Sequence, residues 1–304
     1  AELALDGAVA HLVGPPSDGT KNITPMLHVT RIWNAITAAA GMRRALALSR
    51  DYARRRVQFG RALTDQPLHQ ATLAGLRVEH EAALQLAFRA VELLGRDEAG
   101  EASDADRAVL RLTTPIAKLV TGKQAVAVAS EALEGFGGAG YIEDTHLPVL
   151  LRDAQVLPIW EGTTNVLSLD VLRGIQHEDA LAPFVEEVRR HAQTTQHAEL
   201  AEIGRQAVAA CEHAVAWLGE AMLNGDSAAE SVQHGARRFA LTLGRALQGV
   251  LLAEQAQHDL DADGDGRGLA VAARFARQGL DVLEAPGELR AADAALARDE
   301  PLPG

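Results

Sequence analysis

Between residues 25 and 283, apolar side chains recur three and four positions apart among Ala, Leu, Arg and Glu, the periodicity of amphipathic helices. The pattern predicts helices over 25–57, 67–98, 103–135 and 163–174, then a second helical block at 179–194, 197–223, 227–259 and 267–283. The breaks are marked. Phe59-Gly60 closes the first helix, Pro67 stands at a helix start where its missing N–H costs little, and residues 95–104 form a polar turn. Gly135-Phe136-Gly137-Gly138-Ala139-Gly140 closes the third. Residues 2–13, ELALDGAVAHLV, alternate around Asp6-Gly7 and predict two short strands, followed by a Pro- and Gly-containing loop. A hairpin that small needs cover, either from the helices that follow or from a part that precedes it. Residues 141–162 lack periodicity, and a long connection of this kind is more often functional than idle. The tail from Ala285 is expected to be loosely ordered. The expected fold is all-α, with a hairpin and linker over 1–24, a four-helix bundle over 25–175 and an additional helical domain over 176–304.

Composition narrows the function classes. The 304 residues carry 29 Lys and Arg against 41 Asp and Glu, a net charge of −12, which disfavours nucleic acid and anionic membrane as partners. The excess is concentrated late: residues 170–304 hold 22 acidic and 12 basic side chains, a net of −10, and all three lysines precede them. The single cysteine, Cys211, excludes an intramolecular disulfide and a thiolate zinc cluster. No apolar run is long enough to span a bilayer and the N-terminus lacks a basic signal-peptide start, so a cytoplasmic chain is expected. No HExxH or GxSxG occurs, and no metal is expected. Asp261, Asp263, Asp265 and Gly266 look like the front of a calcium loop, but Ala272 stands where the bidentate glutamate belongs, so DADGDGRG reads as an inter-helix turn.

Three elements carry candidate chemistry. In LLRDAQVLPIWEGTTNVLSLDVLRG, Glu161 lies between Trp160 and Gly162 just before a helix start. Partial desolvation there would suit a general base, although an acid complementing a helix N-terminus explains the residue equally simply. In ARRRVQFGRALTDQP, Arg54 to Arg56 satisfy a helix C-terminus or offer a grip on phosphate, and Phe59 and Gln66 fit core and surface as readily as a ligand site. In EGFGGAGYIEDTHLP, one glycine is explained by a helix C-cap; four, at 135, 137, 138 and 140, suit close backbone approach to a ligand.

In order and spacing, these elements resemble the C-terminal half of the acyl-CoA dehydrogenase superfamily over roughly residues 1–175. The resemblance implies that the hairpin is the end of a middle β domain, that the chain is a fragment, that FAD is the cofactor and that an acyl-CoA is the substrate. Arg56, Gln58 and Phe59 match the R-x-F-G turn that touches the FAD of a neighbouring subunit, and Gln66 the glutamine after it, one residue early. Gly137, Gly138 and Gly140 match the GG-x-G turn that meets the same flavin, with Glu134 where glutamine is common. Arg152 and Asp153 match the RD of the motif, with Val149 in place of a basic residue, while Thr163 and Asn165 would face the flavin of their own subunit. Glu161 matches the E-G-T glutamate that removes the α-proton of the thioester; some members carry their base on the first bundle helix, where this chain has Thr30. The segment IWEGTTNVLSLDVLRG and the extra helical block look closest to the alkylation-response branch, whose members add a DNA-binding helical domain. Here that block is lysine-free and acidic, so DNA is not expected to bind, although Arg237, Arg238, Arg245, Arg274 and Arg277 offer a local patch. Implied partners are further copies of the chain, as a dimer or tetramer, and an electron-transfer flavoprotein. A flavin-containing DNA-protective protein and a non-catalytic oligomerisation module are the alternatives. The fragment alone is expected neither to hold FAD tightly nor to turn over substrate.

Overall fold

A computed structural model describes residues 3–286 and 290–302. Helix α1 (Gly19–Arg55) starts six residues before Pro25, so this proline lies inside the helix instead of opening it. At that depth its missing N–H removes one bond, to the carbonyl four residues back, which a helix of this length tolerates. The sheet also differs from expectation. Residues 3–18 form no strand, and residue 2 lies outside the described residues. Gly7 keeps the positive φ of a turn, but Leu3, Leu5, Val9, Leu12 and Val13 remain exposed with nothing packed over them. Two strands without cover do not repay their ordering. The hairpin is found instead at β1 (Val57–Gln58) and β2 (Arg61–Ala62), paired antiparallel with Val57 opposite Ala62. Phe59 and Gly60 both adopt positive φ, 50° and 80°, as the tightest two-residue turn requires.

Helices α2 (Pro67–Glu98) and α3 (Asp104–Gly135) follow, with Pro67 in the first turn of α2 as expected. A capping box starts α3: Asp106 N–H donates to Ser103 Oγ, and Ser103 N–H donates back to Asp106 Oδ2. The connection after Gly140, expected to be irregular, contains α4 (Val149–Val156) between Pro148 and Pro158. Eight residues are too few to display a helical period. Then come α5 (Thr164–Glu178), α6 (Leu181–Ala192), α7 (Ala198–Met222), α8 (Ala228–Asp263), α9 (Arg267–Ala276) and α10 (Arg290–Arg298).

The centre of the molecule is α3, which packs against α1, α2, α4, α5, α6 and α8 and from Leu112 to Ala125 is buried at every position but Lys123. One continuous core joins Leu86, Leu112, Ile116 and Leu167 to Phe184, Leu200, Leu243 and Phe275 in the later helices. Helix α9 stops at Ala276, short of the expected 283, because tertiary bonds claim the next stretch. Gly279 has φ 89° and its carbonyl accepts from Arg245 Nε at 2.6 Å; Val282 N–H donates to Thr242 Oγ1, and Trp217 Nε1 donates to the Glu284 carbonyl. Of the DADGDGRG segment only residues 264–266 form the turn, since 261–263 end α8 and 267–268 open α9; Gly264 has φ 67° and Asp265 Oδ1 accepts from the Arg267 N–H. Among the described residues, no helix is long and apolar enough to cross a membrane.

Candidate active site

The segment between α4 and α5 folds over the side of the bundle and is held there by three side chains from two helices. Asn34 of α1 donates from Nδ2 to the Leu157 carbonyl at 3.2 Å, Arg31 of α1 donates from Nε to the Glu161 carbonyl at 3.1 Å, and Lys118 of α3 donates to the Gly162 carbonyl. Gly122 lets α3 approach closely, since a Cβ there would lie 3.3 Å from Pro158 N. Glu161 and Gly162 both take positive φ, 61° and 111°, a conformation that costs a non-glycine residue and persists only where its surroundings impose it. Thr163 caps α5 through its backbone and makes no side-chain cap bond.

The Glu161 side chain is half-buried, and its Oε2 is fully covered without a hydrogen-bond partner. A buried carboxylate oxygen left unpaired is expensive, so its environment is incomplete without a further group. The charges around it are positive: Arg31 and the fully buried Lys118. Arg31 is fixed from behind by Asp170, at 2.6 Å, which also meets Arg111 at 2.9 Å. Burial opposes ionisation of Asp170, but Arg111 and Arg31 outweigh it and hold its carboxyl below the usual range. Thr30 bonds back to the carbonyls of Met26 and Leu27 in its own helix.

A groove of about 490 Å³ at the C-terminal end of α3 gathers Arg56, Gln58, Gln66, Glu134, Gly137 and Gly138, with Tyr52, His69 and Phe136. Gln66 Nε2 donates to the Gln58 carbonyl at 2.9 Å and ties the hairpin to the start of α2. Phe59 projects from the hairpin tip, 95% exposed. Gly137 has φ 59°, and a Cβ on Gly137 or Gly138 would meet nothing within 4 Å, whereas one on Gly140 would lie 2.0 Å from the Leu133 carbonyl oxygen. The first two glycines leave open space; the third is packed. Asn165 lines a separate cavity of about 770 Å³ between α5 and α8, with Ser168, Arg237, Arg238 and Arg245. The residues singled out from sequence thus fall mostly into three clusters, at Glu161–Thr163, around Gly137–Gly138 and at Asn165, while Phe59 and Gly140 do not line the groove.

Arg31, Asn34, Lys118 and Asp170 were not singled out from sequence. One signal was available for Lys118, a cation set among apolar neighbours in PIAKLV, where lysine is rarely buried without a task. The other three pair with groups 123 to 139 residues away, and nothing local marks them.

Residues 17–176 match the model of the acyl-CoA dehydrogenase C-terminal domain, and residues 179–301 that of the acyl-CoA dehydrogenase 11 C-terminal domain-like family. The chain is 44% identical over 264 residues to acyl-CoA dehydrogenase family member 11 of Caenorhabditis elegans, covering 84% of this chain and 42% of that protein. It is 35% identical over 187 residues to the putative acyl-CoA dehydrogenase AidB of Escherichia coli, covering 61% and 34%. The crystal structure of C. elegans ACDH-11 in complex with C11-CoA superposes with a TM-score of 0.90 at 40% identity, over 97% of this chain and 51% of that one. A Bacillus anthracis acyl-CoA dehydrogenase complexed with FAD shares the fold, with a TM-score of 0.70 at 17% identity over 94% of this chain and 54% of that one. The chain spans less than half the length of these curated relatives. It belongs to the acyl-CoA dehydrogenase superfamily, of which it carries the C-terminal helical portion.

Proposed function

We propose that this chain forms the base side of an FAD-dependent acyl-CoA dehydrogenase site, in which Glu161 takes the α-proton of an acyl-CoA thioester while hydride leaves the β carbon. The two losses turn the α,β single bond into a double bond and balance as one proton and one hydride. The observation that carries the reading is the covered, unpartnered Oε2 of Glu161 on a turn tethered by three side chains. The residues of the groove fit the cofactor: the open space at Gly137 and Gly138 admits a flat ligand, and Arg56 offers a cation there beside the acids Glu131 and Glu134. When bound, FAD supplies the acceptor for the hydride.

The chain's own groups do the remainder. Arg31 fixes the carbonyl of Glu161, so that the carboxylate is oriented before substrate arrives. Ile159 and Trp160, both exposed beside it, offer apolar surface to a thioester and help exclude water. The Glu161 turn and the Gly137–Gly138 groove share no lining residue, which supports the groove serving the flavin of a second copy in a homo-oligomer.

The test is anaerobic bleaching of the flavin in the holoenzyme, with C11-CoA, the ligand of the C. elegans relative, as the first thioester tried. Wild type bleaches, and Glu161→Gln slows bleaching by about a thousandfold or more while keeping its FAD, a loss of the size expected when a general base is removed. Unchanged bleaching in Glu161→Gln would sink the reading and assign the base to another residue.

A further inference from the structure

Lys118 sits at the middle of α3 between Ile116, Ala117, Leu119 and Val120, all buried, and is itself 0% exposed. Volume alone does not call for a lysine there. Methionine fills the same space without the desolvation cost of an ammonium, and a buried charge adds little net stability over an apolar side chain. What methionine lacks is a donor, and the Lys118 ammonium donates to the carbonyl of Gly162, one residue past Glu161 and 44 positions away in sequence. We propose that Lys118 is a positioning residue for the base: its buried ammonium fixes the Gly162 carbonyl and so sets how the Glu161 carboxylate meets the α-proton. This rests on the reading of Glu161 as the base.

The geometry leaves the turn few other restraints. Gly162 has φ 111°, which a glycine reaches without steric cost, so its own backbone does little to fix the turn. Of the three tethers on the segment, Asn34 acts at Leu157, before the base; Arg31 and Lys118 grip the two consecutive carbonyls at the base itself. Loss of the Lys118 bond strands the Gly162 carbonyl, and a displacement of about 1 Å at the reacting group costs about a hundredfold in rate. The charged groups facing Lys118 are Arg31 from α1 and Glu161 from the turn, and Arg31 is in turn paired with Asp170 of α5. Burial, with Arg31, pushes the Lys118 ammonium down to about 8, and Glu161 works against that fall. The amine is therefore mostly charged at neutral pH and loses its charge in mildly alkaline solution, taking with it the attraction to Glu161 and part of its hold on Gly162.

Rates of anaerobic flavin bleaching by C11-CoA across pH 6 to 10, in the holoenzyme and in K118M, K118R and E161Q, test this. Wild type is expected to slow as pH passes about 8; K118M is expected to keep its FAD and its circular dichroism, to lose about 10- to 100-fold in kcat with KM nearly unchanged, and to show no such fall. In K118R, whose cation does not titrate in this range, the fall near pH 8 disappears while more of the neutral-pH rate survives than in K118M. That second variant decides the matter if K118M does not fold. A wild-type kcat and pH profile in K118M, or a fall near pH 8 that persists in K118R, would overturn the proposal. With E161Q inactive, either result overturns the role of Lys118 alone; an E161Q that bleaches like wild type overturns the base reading and this proposal together.

Discussion

Gly140 has no room for a methyl group, because the clash would be with the backbone of Leu133, whose carbonyl already accepts the Phe136 N–H. Backbone cannot swing aside as a side chain can. Gly140→Ala should therefore cost about 3 kcal/mol, the upper end for overpacking, and lower Tm by several degrees. Gly138→Ala, two residues away with open space around the added carbon, should stay within about 0.5 kcal/mol of wild type. Thermal melts of the two variants side by side check both values, and equal melts would show that the 137–140 turn yields freely. The same comparison separates packing from ligand approach. If Gly138 matters to the cofactor, its variant loses FAD without losing stability.

At the scale of elements, local signals placed helix starts well wherever a cap or a proline acts alone. The start of α3 is set by Ser103 and Asp106 in reciprocal bonds, and hydrogen bonds from Ser103 hold the Asp106 carboxyl below its usual range. Ser103→Ala should cost about 1 kcal/mol, read as a lower urea midpoint with unchanged slope. A changed slope would mean that the cap also shapes the unfolded chain. Strands were less legible. The Asp6-Gly7 signal is sound as turn chemistry, and Gly7 keeps its positive φ, but a small hairpin is stable only when covered, and Leu3, Leu5, Val9, Leu12 and Val13 are exposed here. The hairpin that forms, around Phe59-Gly60, places a phenylalanine at a positive φ where Asn or Gly is the usual mark. Its strands are pinned between α1 and α2, and Gln66 donates to the Gln58 carbonyl from the entrance to α2.

Across the whole molecule, the early and late helices are joined by a buried charge cluster as well as by the shared core. Arg89 of α2 meets Glu187 of α6; His191 of α6 bonds Glu187 at 2.9 Å and Glu254 of α8 at 2.6 Å. Burial opposes ionisation of both Glu187 and His191. For Glu187 the bond from His191 and the charge of Arg89 outweigh it, bringing the carboxyl down to about 2; for His191 the bonds to Glu187 and Glu254 do so and push the ring up from 6.5. The stability from Glu187 is present above its ordinary 4.5 and is lost as pH falls through about 2. That from His191 is complete below 6.5 and is lost as pH rises through its raised value. Both act in full between 4.5 and 6.5. Tm should therefore decline on the alkaline side of this window in wild type and less so in His191→Gln, as melts from pH 4 to 9 would show. Equal declines in the two proteins would place the alkaline loss elsewhere. Glu187→Gln, which leaves Arg89 and His191 short of their counter-charge, should cost about 3 kcal/mol at pH 6.

The chain's local chemistry settled most of the helices and their breaks and the acidic character of the late block, while Glu161 stood out only through the resemblance of its E-G-T setting to a family motif. Those features are carried by a repeat of 3.6 residues, by caps and prolines, and by short motifs, all of which act over a few positions. The tertiary structure alone decided which hairpin forms, where α9 ends, and which side chains hold the Glu161 turn. Arg31 reaches its carbonyl across 130 residues and Lys118 the next one across 44, and bonds of that span exist only once the bundle has brought the helices together.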